Sequence, residues 1–280
     1  MADPLSVLEV ARAEAGGGQV KVTTLVYHDV VLPGMEKNSG FQGGDADIYK
    51  LSREEFEAQM GALASVVREP PVTADSLLNG SVNDGVLLSF DDGGVSAYET
   101  TAEILEAHGW RGTFFVVTDC IGRPGFLNAE QIRSLRERGH TIGSHTCSHP
   151  PRFSRLSFAE MRGEWERSAG ELARIIGEAP VIASVPCGDY SRDVARTARS
   201  AGYRLLFNSE PVTRVREVDG CLVAGRFSVQ RGNEPTTAAA LATRRWLPRS
   251  RQWTYWNSNK VLKKLGGAAW LTLRKRILNR

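Results

Sequence analysis

Strand-like and helix-like segments alternate along most of this chain, and that alternation limits its fold more than any other feature. VTTLVYHDV (22–30), GVLLSFDDG (85–93), GTFFVV (112–117), HTIGS (140–144), VIASVP (181–186), YRLLFN (203–208) and CLVAGRFSV (221–229) are short apolar runs with strand character. Helical patterns fall between them: LSREEFEAQMGALASVV (51–67), a stretch running to about Ala107, AEQIRSLRERG (129–139), 157–177, SRDVARTARSAG (191–202) and 236–246. Ser52, with Glu55 three residues on, marks a capped helix start, and Gly139 marks a helix end. Repeated β–α units imply an α/β protein whose mainly parallel sheet carries its helices outside. Seven or so units in succession predict a closed or nearly closed barrel in a single domain. Loops at the C-terminal ends of its strands are where such a barrel builds a site.

The chain of 280 residues is 41% hydrophobic and 24% charged, ample for a core of that size. A barrel domain is expected over 22–248, between an N-terminal extension (1–21) and a C-terminal tail (249–280). The segment 31–50, rich in Gly, Asn and Asp, reads as a long loop between the first strand and its helix. A net charge of +3 is too mild to argue for nucleic acid. The first residues lack the apolar core of a secretory signal, and no run approaches the ~18 apolar residues of a membrane span. A cytoplasmic protein is therefore expected. Its four cysteines, with no CxxC pair, are then most simply free thiols. From about residue 244 the composition changes, as RRWLPRSRQWTYW and NKVLKKLGGAAWLTLRKRILNR interleave basic residues with tryptophans. Such a tail either packs its apolar face on the barrel or lies on an anionic membrane surface.

Candidate chemistry gathers at the predicted strand ends. SFDDGG (89–94) places Asp91 and Asp92 side by side, pointing in different directions, so that one could bind a metal while the other acts on a proton. The same four residues are also good turn formers. SHTCSH (144–149) offers His145 and His149 at i, i+4, which share a face if the segment is the first turn of a helix. Two imidazoles and a carboxylate suit zinc and similar divalent ions. Cys147 would point away from that face. His28 ends the first strand, where a hydrogen bond to neighbouring Asp29 is the plainer role. His108 and His140 sit at a helix end and a strand start and are given no task. SVPCGDYS (184–191) forms a turn whose backbone N–H could serve an oxyanion.

The order of FDDG, HTxSH and a Pro-x-Gly turn resembles the polysaccharide deacetylases, carbohydrate esterase family 4, over about residues 22–230. That resemblance implies a distorted (β/α) barrel. It also implies Asp91 as general base and Asp92, His145 and His149 as ligands of a divalent metal, zinc first and cobalt or nickel as substitutes. The family's third motif commonly reads Arg-Pro-Pro-Tyr-Gly, and the aligned stretch here is Ser184-Val185-Pro186-Cys187-Gly188. The arginine that orients the base is thus expected to be missing, while the Cys187 N–H can still face the oxyanion. FNSEP (207–211) replaces the family's acidic Trp motif, and no histidine follows His149 to act as general acid. YHDV (27–30) is similar to the hallmark of a subgroup, the deacetylases of poly-N-acetylglucosamine biofilm polymers, that carries its acid histidine on the first strand. By that likeness His28 is the acid.

The expected activity is metal-dependent hydrolysis of the acetamide of an N-acetylated sugar, releasing acetate. The sugar would be lipid-linked if the tail holds the protein at the cytoplasmic membrane. Two other functions fit the sequence. One is a catalytically degenerate carbohydrate-binding protein, favoured by the missing arginine and acidic motif, and the other an amidase on a small non-sugar amide.

Overall fold

The computed structural model describes residues 20–258. Nine strands form one curled sheet in the order β11-β1-β4-β5-β6-β7-β8-β10-β9. Its parallel strands are β1 (Lys21–Tyr27), β4 (Asp84–Phe90), β5 (Thr113–Val116), β6 (Thr141–Ser144), β7 (Ile182–Ser184), β8 (Leu205–Phe207), β10 (Cys221–Ala224) and β11 (Phe227–Ser228). The edge strand β9 (Arg216–Val218) pairs antiparallel with β10. This is the expected distorted barrel in a single domain, with eight parallel strands where about seven were read.

The helices are α1 (Gly44–Asp47), α2 (Arg53–Ala64), α3 (Ala74–Leu78), α4 (Ala102–Ala107), α5 (Ala129–Glu137), α6 (Phe158–Ile176), α7 (Arg192–Ser200) and α8 (Thr236–Ala242). Local chemistry explains their starts. Ser52 with Glu55, Asn128 with Gln131 and Ser157 with Glu160 all close reciprocal caps, satisfying donors that the first turn leaves free. A further helix, α9, runs from 246 as far as residue 258. The residues before 20 and after 258, including most of the expected extension and tail, lie outside the described residues.

Alternation along each strand sorts its residues into two layers. Leu25, Tyr27, Leu88, Phe90, Phe114 and Val116 pack outward against helices. Val22, Leu87, Phe115, Ile182, Leu205, Phe207 and Leu222 form a separate buried cluster that fills the barrel interior. Above that apolar plug, in the same phase as Leu87, come Ser89 and then Asp91. The strand that leads to the acids thus turns from apolar to polar along one face.

Two segments read as single strands are broken. The run 22–30 stops at His28, after which β2 (Asp29–Val31) leaves the barrel and pairs with β3 (Lys50–Ser52) in a two-stranded sheet. The run 221–229 divides into β10 and β11, which lie near opposite edges of the large sheet although only Gly225 and Arg226 separate them. The chain therefore crosses the barrel seam in two residues. A Cβ at Gly225 would overlap the Glu210 carbonyl, so only glycine allows so close a passage, and the Arg226 N–H bonds that same carbonyl at 2.9 Å. Lower down, Val22 N–H donates to Thr213 O (2.9 Å) and Val215 N–H to Val20 O (3.2 Å), lacing the seam at the other end of the strands.

Candidate active site

All six sequence candidates lie at or just beyond C-terminal strand ends, on one mouth of the barrel. Asp91 and Asp92 follow β4, His145 and His149 follow β6, Cys187 follows β7, and His28 follows β1. Among the described residues, four of the six non-glycine positions with positive φ are Asp92 (75°), Thr146 (66°), His149 (55°) and Cys187 (52°). Left-handed backbone is costly for such residues, and it clusters here.

The 145–149 segment is not a helix, contrary to the condition under which its histidines were expected to share a face. They converge through a turn that reverses at Thr146, and a buried carboxylate from α6 holds it. Glu164 accepts from Cys147 N (3.0 Å), Ser148 N (2.8 Å) and Ser148 Oγ (2.9 Å). The Cys147 thiol turns aside, as the spacing implied, and donates to Asp119 Oδ1 at 2.9 Å. Burial pushes that thiol up to about 11.

Asp92 Oδ1 lies 3.4 Å from His145 Nε2 and 3.6 Å from His149 Nε2, and one donor atom from each of the three residues falls within 4.8 Å of the others. Asp92 Oδ1 is buried without a hydrogen-bond partner among the described residues. An orphaned carboxylate oxygen facing two imidazole nitrogens is the donor set a divalent cation fits. His145 Nδ1 meets Ser184 Oγ at 2.5 Å and Ser184 O at 3.1 Å, which places the ring proton there and leaves Nε2 free to ligate. Burial holds His149 down at about 4, so its ring is neutral at neutral pH. Burial would raise Asp92, but the imidazoles that face it, His145 first and then His28 and His149, outweigh burial and hold the carboxyl well below its ordinary value.

Asp91 is gripped on the other side. Arg226 Nη1 and Nη2 reach its two oxygens at 2.7 and 2.8 Å, a bidentate pair with both partners buried. The third motif indeed lacks its arginine, yet Asp91 is not without one. The cation arrives across the seam from the start of β11 instead of from the third motif. Burial would raise the Asp91 carboxyl, yet Arg226 first and then His145 overcome it, so the group is held ionised below its ordinary value. The same aspartate accepts from Ser184 Oγ at 3.2 Å.

His28 stacks on Tyr49 with ring centroids 4.5 Å apart, and Phe41 packs on His149 at 5.0 Å, both aromatics coming from the 31–50 loop. The plainer role for His28, a hydrogen bond to Asp29, is not what forms. The Asp29 carboxylate accepts instead from Ser39 Oγ (2.5 Å) and Ser96 Oγ (2.8 Å), and His28 Nδ1 is buried without a hydrogen-bond partner among the described residues. His28 stands near enough that its charge helps to lower both Asp91 and Asp92. Cys187 sits in the Pro186–Gly188 turn with its side chain exposed. His140 is structural: its Nδ1 accepts from Gly112 N at 3.0 Å and its Nε2 meets Glu106 Oε1 at 2.8 Å. Sequence reasoning missed Arg226, Ser184 and Glu164, and no local pattern around them could have signalled these long-range contacts.

The family model for polysaccharide deacetylases matches residues 80–206. YxkH of Bacillus subtilis (strain 168), named as a polysaccharide deacetylase of that group, is 25% identical over 202 residues, covering 70% of this chain and 67% of its own length. A chitin deacetylase of Arthroderma benhamiae is 32% identical over 127 residues, and the chain spans only 34% of its length. In fold the chain is similar to the Streptococcus pyogenes deacetylase PplD in complex with acetate (TM-score 0.68, 18% identity, 80% of this chain and 99% of that one). It is also similar to IcaB from Ammonifex degensii (TM-score 0.64, 23% identity, 81% and 97%).

Proposed function

Residues 80–206 are a polysaccharide deacetylase domain, and from that premise we propose that the protein is a metal-dependent N-deacetylase of an N-acetylated sugar or polysaccharide. The observation that carries the proposal is the buried convergence of Asp92, His145 and His149 beside a clamped, ionised Asp91. Asp92, His145 and His149 would hold the divalent ion, most simply zinc, with cobalt or nickel able to replace it. When bound, such an ion supplies Lewis acidity toward the acetyl carbonyl and makes a nearby water more acidic.

The remaining work falls to the chain's own groups. Asp91, kept ionised by Arg226, takes the proton of the attacking water. The Cys187 N–H, presented by the left-handed turn, donates to the oxygen on which charge develops. His28, whose buried Nδ1 has no hydrogen-bond partner among the described residues, delivers a proton to the departing amine, which is otherwise a very poor leaving group. Acetate and an amino sugar result. The degenerate-binding alternative drew on an absent arginine and an absent acidic Trp motif; Arg226 answers the first, and acetate release decides between the two readings.

Acetate release from N-acetylglucosamine oligomers, with zinc, cobalt or nickel added, tests the reading. Asp91→Asn and His28→Ala should each lower kcat by about 100- to 10,000-fold, the usual worth of a positioned acid or base. Cys187→Ala keeps the N–H and should leave the rate near that of the parent. Full activity in both Asp91→Asn and His28→Ala would overturn the assigned roles.

The proposed place of action is the cytoplasmic membrane surface, on a lipid-linked glycan. No helix among the described residues is long and apolar enough to cross a membrane. Trp246, Leu247, Trp253 and Tyr255 are exposed, and residues 235–280 contain eleven Lys and Arg with no Asp or Glu. We keep 22–248 as the proposed limits of the catalytic barrel, with α9 docked against it from the tail side.

A further inference from the structure

The pairing of Asp91 with Arg226 joins residues 135 positions apart, and nothing in the family match reaches the arginine, since that match ends at residue 206. The guanidinium is held from every side. Its Nε donates to Asn208 O at 3.1 Å, its Cζ lies 5.7 Å from the Phe115 ring centre, and the residue's backbone N–H is fixed to Glu210 O at 2.9 Å. It is 1% exposed. On the opposite side of the carboxylate stands Ser184, the residue aligned with the motif arginine, with its hydroxyl donating to the same Asp91 oxygen that Arg226 Nη1 holds. A serine at 184 brings no cation to the carboxylate, and Arg226 brings one from the β11 edge of the sheet.

We infer that Arg226 is the positioning residue for Asp91, a relocated arginine that replaces the one absent at position 184. A bidentate fork fixes the carboxylate plane as well as its charge, whereas a single ammonium fixes only the charge. The plane matters because Asp91 Oδ2, which accepts from Arg226 Nη2, must keep its second lone pair aimed at the water while Asp92 remains turned to the proposed metal position. The inference rests on Asp91 acting as the base.

The experiment compares wild type, Arg226→Lys, Arg226→Met and the double variant Arg226→Met/Ser184→Arg. It uses steady-state acetate release, bound-zinc stoichiometry and crystal structures. Arg226→Met should lower kcat about 100-fold or more, in line with loss of an effective general base, with KM and zinc content near wild type and the Asp91 carboxylate turned from its present plane. Arg226→Lys, which keeps the buried charge, should retain zinc and fold normally yet remain slower than wild type, so it decides the matter if Arg226→Met does not fold. The double variant should regain at least tenfold over Arg226→Met. Wild-type kcat in Arg226→Lys, an unmoved Asp91 carboxylate in either single variant, or no recovery in the double variant would overturn the inference. A wild type that releases no acetate would sink the deacetylase reading instead, and the carboxylate orientation would still judge Arg226.

Discussion

Asp91 and Asp92 are chemically identical neighbours, and their surroundings separate them. Asp92 turns through a left-handed backbone toward two imidazoles, while Asp91 continues the inward phase of β4 into the grip of Arg226. Asp92→Asn should therefore abolish stoichiometric zinc without unfolding the chain. Its cost in affinity should exceed the roughly 10- to 100-fold that follows loss of a hydrogen-bonding partner behind a ligand. Equilibrium dialysis with elemental analysis measures it, and zinc retained at wild-type affinity would remove Asp92 from the ligand set. The candidate residues were legible because their motifs are short and each hangs on a strand end. Arg226 was not, because its partner is chosen by closure of the sheet, and GRF inside an apolar run says nothing about closure.

At the scale of elements, the longer helices were readable to within a few residues, since capping chemistry is local and Ser52 with Glu55 announces its helix in sequence, whereas α1 and α3, of four and five residues, are too short to show a period. Strands were harder. Apolar runs gave their existence, but the breaks at His28 and at Gly225–Arg226 answer to tertiary approach, and β9 has no hydrophobic alternation strong enough to stand out. One interface between elements also sets a pH dependence. Burial holds His140 below its ordinary value of 6.5, against the raising effect of Glu106. With a depressed folded-state value, the stability from neutral His140 is complete above pH 6.5 and is lost as pH falls through the folded value. Protonating Nδ1 would also break its bond from Gly112 N. Glu106, held down first by its hydrogen bond from Arg138, loses its own contribution only below its ordinary 4.5. The buried His149 acts in the direction of His140. His145 acts oppositely, because Asp91 and Asp92 outweigh its burial and raise it. The melting temperature of the metal-free protein should fall between pH 7 and 5, and His140→Gln should flatten that fall without abolishing it. An unchanged slope in the variant would remove His140 from the account.

For the whole molecule, α9 is the piece that joins barrel and tail. Gln252 pairs with both backbone groups of Ser228, at 3.0 and 2.8 Å, so it blunts the exposed edge of β11. Arg249 lies over the Phe227 ring at 5.4 Å, and Trp256 abuts the turn at Gly188 beside Cys187. The helix thus lies along the seam, and residue 258 leaves from near the catalytic mouth. With Trp246 and Trp253 facing solvent, vesicles containing anionic lipid should bind the full chain, and neutral vesicles should not. Trp246→Ser/Trp253→Ser should cut co-sedimentation several-fold while acetate release from soluble oligomers stays unchanged. Equal sedimentation of the two proteins would discard membrane contact. Point substitutions serve better than truncation, since shortening the chain at 250 would also strip Gln252 from β11.

The two-residue seam crossing also sets an order of events during synthesis. Every proposed metal ligand has been made by residue 149, but the arginine that steadies Asp91 comes only at 226. A ribosome adding about 5–20 residues per second leaves an interval of several seconds between the two. During that interval the nascent chain carries a complete set of metal donors and an aspartate with no cation beside it. The Arg226 clamp is the last part of the site to be made, and it needs Gly225 against the Glu210 carbonyl and the final strand in its place.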